Sequence, residues 1–156
     1  MSARRRGPSE HVLIAGDEHD LTAIEHVLWL LPDDAYGHVF VETLTDEPRG
    51  ALPAPEGVTV TWLPRCRRPS VIPELVFADR GEPLAVALTG WASEWLTGGD
   101  DQLGRRHLLW IGAEESRYVS IVCDLLLRPL CNHVYPLDDL VGASASESHA
   151  PRAPQA

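Results

Sequence analysis

Apolar residues change period part-way through the stretch His11 to Leu31, HVLIAGDEHDLTAIEHVLWLL. Val12, Leu13, Ile14 and Ala15 are consecutive. Beyond Gly16, Asp17, Glu18, His19 and Asp20, the residues Leu21, Ile24, Leu28 and Leu31 recur at helical spacing with Val27 beside them. A continuous apolar run suits a strand buried on both faces, as in a parallel sheet; the second pattern is one face of a helix. Asp20 or Thr22 is the expected N-cap, and Glu25 fits the capping-box spacing after Thr22. Strand, glycine turn and helix make the first half of a βαβ unit, where many nucleotide folds place a ligand.

The alternation continues. After a loop at Pro32, Asp33, Asp34 and Gly37, His38–Glu42 reads as a second strand. Residues 44–57 form a Pro- and Gly-rich loop, and Val58–Leu63 is a β-branched third strand. The segment Pro64 to Gly81 carries Arg65, Arg67 and Arg68 and then VIPELVF, for which a short helix opening near Pro73 is expected. Pro83 at N1 opens a helix through Leu84, Val86, Leu88, Trp91 and Trp95 that stops at Gly98-Gly99. Trp91 and Trp95 read as a core stripe, with an interface face as the alternative. His107–Ile111 is a fourth strand. A helix over 115–127 follows, with Tyr118, Val119, Val122, Leu125 and Leu126 facing inward, and Asn132–Tyr135 is a short fifth strand. The expected fold is therefore α/β, three-layered and Rossmann-like, with a parallel sheet of about five strands. Its ligand side is Gly16–Asp20, Glu42, Leu63–Arg68 and Gly112–Ser116, at the strands' carboxyl ends.

Length and charge narrow the field. The 156 residues allow one domain, expected over 11–141 between disordered tails at 1–10 and 142–156. A formal charge of −10 argues against nucleic acid as a partner, which needs a basic field. No apolar run approaches a membrane span, and MSARRRGPSE precedes too few apolar residues for a secretory signal. Cys66, Cys123 and Cys131 are odd in number and widely spaced, so free thiols in the cytoplasm are expected.

Candidate chemistry concentrates at the strand ends. Gly16 allows close backbone approach, and the following helix amides favour a phosphate; equally, Asp17, Glu18 and Asp20 repel one and suit a helix start. Arg65, Arg67 and Arg68 form the basic cluster of the folded part, and a guanidinium fork matches a ribose 2′-phosphate. Glu42 stands where dinucleotide folds grip a ribose diol. The arginines thus point to NADPH and Glu42 to NADH. His11, His38 and His107 begin strands and should gather at the sheet's amino edge, away from the ligand side. His19 and His26 lack a completing metal-ligand set.

Four pieces in order, VLIAGDEHDLTAI, LPDDAYGHVFVE, PAPEGVTVTWLPR and HLLWIGAEES, resemble the C-terminal nucleotide-binding domain of siderophore-interacting proteins, flavin-dependent ferric-siderophore reductases related to ferredoxin reductases. The resemblance covers about 11–127. It implies binding of NADPH or NADH, with FAD held by a preceding barrel that is not expected within these residues. The implied cofactor-binding residues are Gly16, Asp17, Glu18, His19, Thr22, Glu42, Arg65, Gly112 and Glu114, the last two near the nicotinamide, with no catalytic acid or base and no metal. Departures are also visible. No proline stands near the first helix start, and Val134-Tyr135-Pro136-Leu137-Asp138-Asp139 replaces the family's aromatic, basic ending. Two functions stay open: a dinucleotide-binding domain donating hydride to a flavoprotein partner's flavin, or a redox-inactive interaction or regulatory module, homodimeric in one form.

Overall fold

β1 (His11–Asp17) is buried at every position because its alternating side chains serve two cores. Val12 and Ile14 join Ile24, Val27 and Leu28 of α1 (Leu21–Leu30) and Val39 and Val41 of β2 (Tyr36–Thr43). Leu13 and Ala15 join Leu84, Leu88 and Trp91 of α2 (Glu82–Trp95) and Val119 and Val122 of α3 (Arg117–Val122) on the opposite face. Two cores on two faces of one sheet make three layers. The computed structural model describes residues 11–67, 76–96, 107–113, 115–127 and 134–136.

The sheet order is β3-β2-β1-β6-β7, with β3 at Gly57–Pro64, β6 at His107–Ile111 and β7 at Val134–Pro136. All its pairings are parallel. Four strands of five to eight residues carry the sheet, and the three-residue β7 extends its edge. Strand order reverses between β1 and β6, the topological switch point.

Several local expectations are corrected. Of VIPELVF, residues 71–75 lie outside the described residues. Its end, β5 (Val76–Phe77), pairs antiparallel with β4 (Cys66–Arg67), an available edge that suits β-favouring side chains better than a helix end. α2 starts at Glu82, one residue before Pro83, and Val86 is exposed because it turns away from the Leu84–Leu88–Trp91 face. The expected stop at Gly98-Gly99 lies outside the described residues. α3 gives way to a π-helical turn, Cys123–Leu127, and Leu125 is 70% exposed instead of inward. A wider turn breaks the angular period on which that expectation rested. Trp91 is a core residue, and Trp95 packs half-buried on the same cluster.

His11 and His107 gather at the amino edge as expected, whereas β2 begins at Tyr36 and His38 stands two residues further in, opposite Leu13. His11 and His107 are register partners, with their Nδ1 atoms 2.9 Å apart, and the His11 ring lies 4.1 Å from Trp95 and 5.6 Å from Trp91 between centroids. Among the described residues, no helix is long and apolar enough to cross a membrane.

Candidate functional site

Parallel register brings the carboxyl ends of three strands level. Asp17 lies opposite Glu42, and Glu42 opposite Leu63. The ladder runs one step further, with the Arg65 amide donating to the Thr43 carbonyl at 2.8 Å, so Arg65 is delivered beside Glu42. A cavity of about 270 Å3 opens here, lined among others by Asp17, Glu18, His19, Glu42, Arg65 and Arg80.

Glu42 is 1% exposed and serves the second layer. Its Oε1 accepts from the Gly81 amide at 2.7 Å and its Oε2 from the Leu84 amide at 3.3 Å. It therefore caps α2, whose own N-cap is a side-chain-less glycine at φ +84°. Burial pushes its carboxyl above the ordinary 4.5, against the two amide bonds and the Arg65 charge. Arg65 donates through Nε to the Ala78 carbonyl at 3.0 Å. That bond orients the guanidinium, whose other nitrogens have no partner among the described residues.

Asp17 is nearly buried. Its carboxylate accepts from the His19 amide at 2.8 Å and from Arg80 Nε at 2.7 Å, with Arg80 Nη2 at 2.6 Å. Burial pushes this carboxyl up, but the Arg80 and His19 hydrogen bonds and charges outweigh it and hold the group below 3.8. Arg80 also reaches Glu115 at 3.4 Å. Arg80 went unnoticed in the sequence. Its one signal is its place directly before the Gly81-Glu82-Pro83 helix start, at the level of the strand ends.

Asp20 turns back over the same bend. Its Oδ2 accepts from the Asp17 amide at 3.0 Å and from the Ala113 amide at 2.9 Å, bridging the ends of β1 and β6. A Cβ at Gly16 would stand 2.8 Å from that oxygen, and one at Gly112 only 2.4 Å away. Both glycines thus make room for Asp20. The capping box forms between Asp17 and Asp20 around the 3-10 turn Glu18–Asp20, not between Thr22 and Glu25. The extra turn moves the cap upstream and leaves Thr22 exposed inside α1.

The sequence profile of siderophore-interacting proteins matches residues 9–124. The chain belongs to the siderophore-interacting protein family. Uncharacterized proteins of Mycobacterium tuberculosis and Mycobacterium bovis are 40% identical over 86 residues, which is 55% of this chain and 29% of each relative. The chain thus matches under a third of the length of these curated relatives. The siderophore-interacting protein SipS of Aeromonas hydrophila is 24% identical, covering 67% of this chain and 38% of that one at a TM-score of 0.43. A siderophore utilization protein of T. fusca is 24% identical, covering 74% and 39% at a TM-score of 0.48.

In this family member, five of the nine expected site residues line one cavity: Asp17, Glu18, His19, Glu42 and Arg65. Gly16 and Gly112 flank Asp20 at the neighbouring switch point. Glu114 and Arg68 lie outside the described residues, and Arg67 is an exposed arginine 4.0 Å from Glu82. Glu18 Oε1 accepts from Arg49 and, at 3.2 Å, from the Leu44 amide, tying the loop after β2 to the turn. Among the described residues no group of three His, Cys, Asp or Glu is placed to hold a metal. Cys66 and Cys123 are free thiols, burial raising the pKa of Cys123, and Cys131 lies outside the described residues.

Proposed function

We propose that the cavity receives the adenosine end of a pyridine dinucleotide, NADPH in preference to NADH, in a ferric-siderophore reductase whose flavin is carried by a partner chain. The carrying observation is the Arg65 fork at the carboxyl end of β3, fixed through Nε to the Ala78 carbonyl and 4.0 Å from Glu42, with no hydrogen-bond partner at its other nitrogens among the described residues. A guanidinium in that state suits a 2′-phosphate. Glu42 commits both oxygens to α2, so Arg65 is left as the discriminating group. The bound dinucleotide would supply the hydride. This chain's part is to hold the adenosine phosphate with Arg65, keep the rim in place through Asp17 and Arg80, and present the remainder to a flavin. Calorimetric titration with NADPH and NADH tests this. Arg65→Glu should weaken NADPH about tenfold or more while leaving NADH nearly unchanged; equal losses, or no heat from either at millimolar concentration, would refute it.

A second reading, a redox-inactive interaction or regulatory module, is favoured by one specific observation. The amides of the β1–α1 turn already hold the carboxylates of Asp17 and Asp20. NADPH oxidation on adding an FAD-bearing partner would eliminate it.

A further inference from the structure

We infer that Asp20 determines which nucleotides this site accepts, because its own carboxylate occupies the anion position at the switch point. The inference rests on the proposal that the Arg65 cavity takes an adenosine phosphate. In open parallel sheets, the crevice where strand order reverses is where a ligand's diphosphate meets backbone amides. Here that crevice lies between the ends of β1 and β6. The amides of Asp17 and Ala113 converge in it on a single oxygen, Asp20 Oδ2. Gly16 and Gly112, which could have admitted a ligand, instead leave the space that this carboxylate fills. The His19 amide of the turn is spoken for as well, since the Asp17 side chain accepts from it and closes the capping box with Asp20.

A diphosphate entering this crevice would meet a fixed negative charge, with the amides of Asp17 and Ala113 already paired. An adenosine phosphate reaching Arg65 from the β2–β3 side avoids the Asp20 carboxylate. Selectivity therefore favours ligands whose recognition ends with the adenosine monoester, and the diphosphate and nicotinamide half of NADPH adds little affinity.

The test compares 2′-AMP with NADPH by calorimetry on the full chain, using wild type, Asp20→Ala and Asp20→Asn. Wild type should bind the two ligands within about tenfold of each other. Asp20→Ala frees the amides of Asp17 and Ala113, so NADPH should tighten about tenfold while 2′-AMP stays unchanged. Asp20→Asn keeps an acceptor without the charge and should give a smaller gain in the same direction. It decides the matter if Asp20→Ala fails to fold. Wild type binding NADPH far more tightly than 2′-AMP would overturn the role of Asp20 and leave the cavity reading standing. So would variants with no selective gain for NADPH. Neither ligand binding to any of the three proteins would overturn the cavity reading, and this inference with it.

Discussion

Asp17 and Glu42 are neighbours in the register, yet they respond to pH in opposite senses. The Asp17 carboxyl is held below 3.8 in the fold, so its stabilising contribution is full above that value and is lost as pH falls through the depressed one. Its partner Arg80 is partly solvent-exposed, which limits the ion pair to about 1 kcal/mol, while an asparagine oxygen keeps the cap. Asp17→Asn should therefore be less stable than wild type in urea unfolding at neutral pH, with the gap narrowing in acid. Glu42 is raised above 4.5, so its contribution is greatest below that value and declines as pH rises through the raised one. Glu42→Gln should accordingly gain on wild type as pH increases, the reverse of Asp17→Asn. A common trend in both variants would contradict these environments.

At the scale of elements, the join between α2 and α3 is the tightest point near the site. Gly81 adopts φ +84°, and a Cβ there would lie 1.9 Å from Ser116 Oγ. That hydroxyl donates to the Arg80 carbonyl at 3.1 Å and caps α3 through the Val119 amide. Gly81→Ala should cost more than about 2 kcal/mol in urea unfolding, by strain and by displacing both helix starts. Trp29, by contrast, is 75% exposed on α1, and Trp29→Gln should change stability by no more than about 0.5 kcal/mol. The elements that could be read from the sequence are those whose burial pattern is local. β1 is apolar throughout because both its faces are covered, and Ile24, Val27 and Leu28 mark one helical face. Leu125 misled because apolar spacing carries no sign of a π turn, and Val76-Phe77 because a two-residue strand is too short to show a period.

Across the whole molecule, the sheet separates two polar ends. The cavity lies at the carboxyl edge, and the His11–His107 pair lies at the amino edge among Trp91, Trp95 and Tyr36. This division could be inferred from sequence because parallel strands that begin with histidine must place those histidines together. The pairing of Arg80 with Asp17 could not be, since the two are 63 residues apart and meet only when α2 docks. His107→Leu removes one partner of a buried hydrogen bond and should cost about 1–3 kcal/mol in urea unfolding. Its nucleotide titration should match wild type, because the change is made at the far end of the strands. A weakened titration would mean that the two ends are coupled.

Ala113 belongs to no strand or helix, holds an uncommon φ of +54°, and gives its N–H to the Asp20 carboxylate. A loop proton anchored in this way should exchange with deuterated solvent as slowly as those of the neighbouring ladder. Removing the Asp20 carboxylate should set it free while leaving the rest of β6 protected, so one amide signal would report whether the crevice is sealed or open.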